Sequence, residues 1–392
     1  MKKNRKVFIY IIVAAALLVL LYILWNVFVP PPVPPSAAPT AVGGGSLPSG
    51  GTSGASAGTS SPSTAAVSAP TLAKISDHDV FSYWIDPETH DVRYLGTDGE
   101  VWNAKNGSDV LESQQTMSAL QSAEVYQNGQ EVLVSFGDPL SPTWAIYNVL
   151  DETWHSLPQS IVNATWGANQ NQLIAIVRNV NTYSLSYVDL TKNPPTYKTI
   201  VDNFYFYGAS FTFSAPATLV VTEKPSAQYQ GSVWELNLKT LALNMLLQPQ
   251  YGLSAKANAD GSLIYVTAAG ATSVINASTI QPTPLPFPSL PNKCDESANA
   301  SSSSIYCFSP ENITQGVTMP DDYLMKAFYS VDILYNYQFS SGNTKTVILS
   351  GTPGVPMLDA TDVVSSGNSV YFINRYDRSL YQLTLPGSST AN

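Results

Sequence analysis

The chain carries two hydrophobic textures, separated by a stretch that has neither. Val7 to Val29 (VFIYIIVAAALLVLLYILWNVFV) is a continuous apolar run in which Asn26 is the only strongly polar residue. As a helix it spans ~34 Å at about 1.5 Å per residue, enough for a bilayer core of about 30 Å. Residues 30–70 are almost entirely Pro, Gly, Ser, Thr and Ala, too poor in large apolar groups to repay the entropy of folding. From Ile75 onward, apolar runs of four to seven residues alternate with Asp-Gly, Asn-Gly, Gly and Pro. That is the grammar of strands and turns. No window sustains a 3.6-residue period, so this part is predicted to be all-β.

The strands recur. Comparable runs begin at Val92, Val132, Leu173, Leu219, Leu263, Ile305 and Val370, at intervals of 40, 41, 46, 44, 42 and 65. A second run follows most of them, as in Trp144-Ala145-Ile146-Tyr147 and Leu380-Tyr381-Gln382-Leu383. A period near 42 with four strands per unit predicts a β-propeller, whose blades bury one another's faces. Seven blades are expected, with six or eight as alternatives. The long interval places an insertion, about Ser309 to Ser330, inside one blade. The last unit lacks a fourth strand, and a strand near Leu72 to Ile75 is expected to supply it and close the ring.

Ala164-Thr165-Trp166-Gly167-Ala168-Asn169 with the strands after it, and Ala257-Asn258-Ala259-Asp260-Gly261 with Leu263-Ile264-Tyr265-Val266, resemble degenerate WD40-like repeats of the TolB type. Together with the apolar run, the spacer, the late cysteine pair and Met319-Pro320-Asp321-Asp322-Tyr323, the chain resembles the membrane-anchored propeller proteins of candidate-phyla bacteria. The resemblance spans residues ~75–386, and the Trp-Ser-Pro-Asp-Gly turn is nowhere complete. It implies a propeller used for binding and supplies no active site.

Charge gives the apolar run its orientation. Lys2, Lys3, Arg5 and Lys6 precede it, and no charged residue comes after it until Lys74. The positive-inside rule then keeps the N-terminus in the cytoplasm and exports the chain beyond Val29. A cleaved signal peptide is the rival, but its apolar region is shorter and ends directly at a cleavage site, whereas Pro30 to Pro35 stands at that place here. The expected organisation is a basic tail (1–6), a single-pass signal-anchor helix (7–29), a disordered linker (30–70), the propeller (71–386) and a tail (387–392). The exported part holds 14 Lys and Arg against 28 Asp and Glu. Such acidity argues against a nucleic-acid partner.

Candidate chemistry is sparse. Cys294 and Cys307 are the only cysteines, and in an exported domain they are expected to form a disulfide. Asp77-His78-Asp79 offers a metal-cluster reading, but a zinc site needs three or four ligands and a solvated turn is preferred. Asp138-Pro139, Asp321-Asp322 and Asp98-Gly99-Glu100 lack the spacing of a calcium loop. Gly54-Ala55-Ser56-Ala57-Gly58 matches a nucleophile elbow without the strand and helix that motif requires. The run Phe204-Tyr205-Phe206-Tyr207 invites carbohydrate stacking, with packing between blades preferred. No catalytic, metal or cofactor set assembles.

The insertion is the candidate contact loop, through Asp321, Asp322, Tyr323, Met325, Phe328 and Tyr329. Packing over the ring is an equal alternative for its apolar residues. The expected function is a non-enzymatic binding or scaffolding module of the cell envelope, bound to the membrane through residues 7–29 and to a protein or envelope polymer. The alternative is a glycan- or peptide-processing enzyme with its site in the propeller channel.

Overall fold

Each repeat becomes a four-stranded antiparallel meander because its apolar runs are short, β-rich and cut by tight turns. In the third blade the strands are Ile161–Trp166, Gln172–Arg178, Tyr183–Asp189 and Thr196–Asp202. Leu173 to Val177 are buried, whereas the fourth strand is largely exposed. The predicted Gln127-Asn128-Gly129 turn shows why glycine is needed there. Gly129 has φ of 74°, and a Cβ would lie 2.8 Å from Pro87 Cδ, a conformation and a fit that only glycine takes without strain.

The computed structural model describes residues 69–386, except 106–107, 207, 215, 259, 269, 276–280 and 297–303. Seven four-stranded sheets are present. Their first strands are Val80–Ile85, Leu120–Val125, Ile161–Trp166, Ser210–Ser214, Ser254–Ala257, Cys294–Glu296 and Ala360–Ser366. Several of these strands also touch the first strand of the next blade, so they line the axis. The fourth strands form the exposed rim.

The seventh blade is completed by the strand Thr71–Lys74, which pairs antiparallel with Ser379–Thr384: Thr71 faces Thr384 and Lys74 faces Tyr381. The expected closure is therefore present. Seven apolar clusters fill the seven interfaces between neighbouring blades, including Tyr94 and Val80 of the first against Ile373 and Leu380 of the seventh. Burying both faces of each sheet in this way stabilises what a lone blade cannot.

Among the described residues no helix is long and apolar enough to cross a membrane. The apolar run 7–29, nearly all of the linker, the Gly54–Gly58 match and the tail 387–392 lie outside the described residues.

Candidate functional site

In an up-and-down blade the connection between the second and third strands and the connection to the next blade emerge at the same end. The insertion, Glu311 to Val331, is such a second-to-third connection, in the sixth blade. It contains one helical turn, Asp321–Leu324.

The loop is rooted by a buried ion network. Lys293, with no exposed surface, donates to Asp332 and Asp359 at 2.6 Å each and to Ser330 at 3.1 Å. Arg375 donates to Asp359 at 2.8 Å and to the Tyr323 and Phe328 carbonyls at 2.9 and 3.4 Å. Its guanidinium lies 3.8 Å from the centre of the Tyr323 ring. Burial alone lowers the Lys293 pKa, but Tyr323, Asp332 and Asp359 together hold it above its usual value. A buried lysine keeps its charge only where anionic partners compensate for lost water.

The six candidate contact residues thus divide. Tyr323 and Phe328 are buried with Val266 and Leu290. Asp322 accepts from the Thr318 amide at 2.7 Å and shapes the loop. Asp321 accepts from the Ala227 amide at 2.9 Å, bridging the sixth-blade insertion to the fourth blade. Met325 (70% exposed) and Tyr329 (40%) remain on the surface, joined by Leu324 (51%). Tyr323 and Phe328 thus pack over the ring, while Leu324, Met325 and Tyr329 stay exposed.

Met325 and Leu324 face Tyr205, Phe206 and Tyr229 across a groove of about 630 Å³. Tyr205, Phe206 and Lys224 are shared with a second cavity of about 570 Å³ between the second, third and fourth blades. Leu324 also belongs to a third, of about 250 Å³, with Asp362 and Arg375. In the aromatic run, Phe204 is buried, Phe206 packs against the fourth-blade core, and Tyr205 stacks on Tyr183 at 4.4 Å while staying half-exposed. The run lies in the connection between blades rather than in a strand, which lets Phe204 and Phe206 turn inward together; Tyr207 is outside the described residues.

The second cavity holds Glu124, on the inner strand of the second blade. Its Oε1 accepts from the Thr165 hydroxyl at 2.7 Å and the Trp166 amide at 3.4 Å. Burial pushes its pKa up to about 7 against those two hydrogen bonds.

Nearer the axis, Lys256 donates to the Cys294 carbonyl, Asp295 and the Val363 carbonyl at 3.2 to 3.5 Å, stapling three blades. Asp295 also accepts from the Ser365 amide at 2.8 Å. Asp362 sits at a bulge with φ of 51°, and its carbonyl accepts from the Tyr83 hydroxyl at 2.6 Å.

Cys294 and Cys307 face each other in register and are disulfide-bonded. His78 stacks on Trp102, and Asp77 exchanges hydrogen bonds with Asp109. Asp138 and Asp98 accept from the amides two residues on, as turn residues do. No group of three or more metal-ligating side chains occurs among the described residues.

Sequence reading missed Lys293, Asp332, Asp359, Arg375, Glu124 and Lys256. For Asp332 and Asp359 the available signal was a charged residue beside apolar or small neighbours, in Ser330-Val331-Asp332-Ile333 and Met357-Leu358-Asp359-Ala360.

The architecture defines the class: a closed, WD40-like propeller of seven four-stranded blades. Solved structures with this fold include the β-propeller domain of Cps50 (Swd1) from Myceliophteria thermophila, at TM-score 0.51 and 10% identity, covering 81% of this chain and 99% of that one. A chain of the Mitotic Checkpoint Complex is similar at TM-score 0.51 and 14% identity, covering 85% and 97%. The tricorn protease is similar at TM-score 0.50 and 10% identity, covering 81% of this chain but only 34% of that protein. The likeness is one of fold. No protein-family model matches the sequence, and no curated protein matches it.

Proposed function

We propose that the chain is a membrane-anchored, extracytoplasmic propeller that acts as a non-enzymatic binding or scaffolding module. Its contact surface is the face built by the sixth-blade insertion, and its partner is a protein or envelope polymer. One observation carries this reading: Leu324 and Met325 are displayed opposite Tyr205 and Tyr229, on a loop whose base is pinned by buried ion pairs. Exposed apolar groups on a rigid frame mark contact sites. Asp321, Asp322, Tyr323 and Phe328 set the shape of the loop, and Met325 and Tyr329 present it.

The anchor is supported by the length of the apolar run 7–29 and the basic residues before it. A bacterial envelope setting and a TolB-type ancestry are supported by the anchor-and-spacer order and the repeat turns.

Photocrosslinking of the full chain in its native membrane tests the contact face. A photoreactive residue at Met325 or Tyr229 is expected to give a discrete adduct, and one at Leu243 on the outer rim is expected to give none. Identical patterns from all three positions, or no adduct from the first two, refute the reading.

A further inference from the structure

We propose that the cavity containing Glu124 binds a guanidinium or ammonium group, carried on a side chain of the polypeptide that occupies the adjoining groove. The polypeptide half of this inference rests on the binding function proposed above; the cation half rests on the cavity alone.

The two oxygens of Glu124 are held unequally. One oxygen of Glu124 is held by the third blade, through Thr165 and Trp166. The other, Oε2, has no hydrogen-bond partner among the described residues, yet it is not among the sealed, orphaned polar atoms. It therefore opens onto the cavity it lines. The surrounding walls mix polar groups, among them Gln121, Ser122, Ser135 and Asn163, with the aromatic rings of Trp144, Phe206 and Phe211. A half-satisfied carboxylate in such a place is destabilised, which is why its pKa is raised. A neutral ligand leaves that cost standing. A cation removes it through a charge-assisted hydrogen bond, and aromatic faces suit a cation as well.

Lys224 and Tyr205 are the only other titratable side chains lining the cavity among the described residues. Lys224 is exposed and belongs to both the cavity and the groove. It disfavours a second positive charge where the two meet. The groove's carboxylates are already engaged: Glu223 accepts from the Ser232 amide and the Trp234 indole, and Asp321 from the Ala227 amide. The ligand is therefore expected to carry one cation into the cavity and apolar groups toward Leu324 and Met325 beyond it. Tyr205 and Phe206, shared by both spaces, connect the cation site to the surface presented by Met325 and Leu324.

The test uses the full chain in detergent, with binding read by tryptophan fluorescence. Acetyl-arginine amide is compared with acetyl-citrulline amide, its neutral isostere, from pH 6 to pH 8. The arginine probe is expected to gain about tenfold in affinity over that interval as Glu124 ionises, and the citrulline probe to gain nothing. None of the three histidines lines the cavity, so they do not mimic this profile. E124Q keeps an acceptor for Thr165 and Trp166 and is expected to abolish both the preference and the pH dependence. Should that variant misfold, the wild-type comparison decides alone.

Equal binding of the two probes, a flat profile for arginine, or no arginine binding overturns the cation site. Acetyl-Leu-Leu-arginine amide is expected to bind about tenfold more tightly than acetyl-arginine amide, and M325D to remove that gain. Equal affinity overturns the polypeptide half and assigns the cavity to a small free cation. Adducts at Met325 without arginine binding would sink this inference while leaving the proposed function intact.

Discussion

At the scale of single residues, the buried charges decide most. Lys293 neutralises two carboxylates that water cannot reach, with Arg375 as the second cation. Lys293→Met leaves those carboxylates short of one positive charge, and such losses cost about 3–5 kcal/mol. Denaturant unfolding is expected to show that loss, with faster proteolysis within 311–331. Glu124 gives a pH signature of opposite origin. Its folded pKa of about 7 lies above the unfolded carboxylate value, so its contribution is most favourable below the unfolded value and is lost as pH rises through 7. Glu124→Gln removes that slope, worth at most about 3 kcal/mol, and unfolding midpoints at pH 5 and pH 8 measure it. Neither residue was legible in the sequence. Their roles depend on which blades meet, and a lone charge in Pro291-Asn292-Lys293-Cys294 or Ser122-Ala123-Glu124-Val125 looks the same whether it faces water or a partner.

At the scale of elements, far more could be read in advance. The strand period, the seven-fold count, the closing strand near Leu72 and the insertion after Ser309 all derive from local runs and turns. They were legible because each depends on residues close together in the chain. The aromatic run at Phe204 is made of residues that favour a strand, yet the connection between two blades claims it instead. Closure itself is testable. Leu72 packs against the apolar cluster between the sixth and seventh blades. Leu72→Asp is expected to cost about 1–2 kcal/mol of burial. It should also speed amide exchange at Tyr381 to Thr384 while leaving Ile174 to Val177 protected.

At the scale of the whole molecule, rigidity and display are divided between parts. Seven interblade clusters make a closed frame, and the face with the insertion carries the adhesive side chains and the cavities. In the proposed setting, orientation is fixed by four bases at the N-terminus. Replacing Lys2, Lys3, Arg5 and Lys6 by Glu is expected to invert the topology. Loss of propeller cleavage by protease added outside the membrane reports that inversion.

The pairing of Thr71–Lys74 with Ser379–Thr384 also sets a timetable. The strand that seals the ring is among the first parts of the propeller to be synthesised and among the last to find its place. At about 5–20 residues per second, a ribosome takes roughly 15–60 seconds to make the chain between the two partners. Throughout that interval the earlier strand has no neighbour and the ring has a gap. A nascent chain stalled before Ser379 therefore presents unpaired edges to whatever is nearby, so holding the chain unfolded until its last strand is made protects it from mispairing.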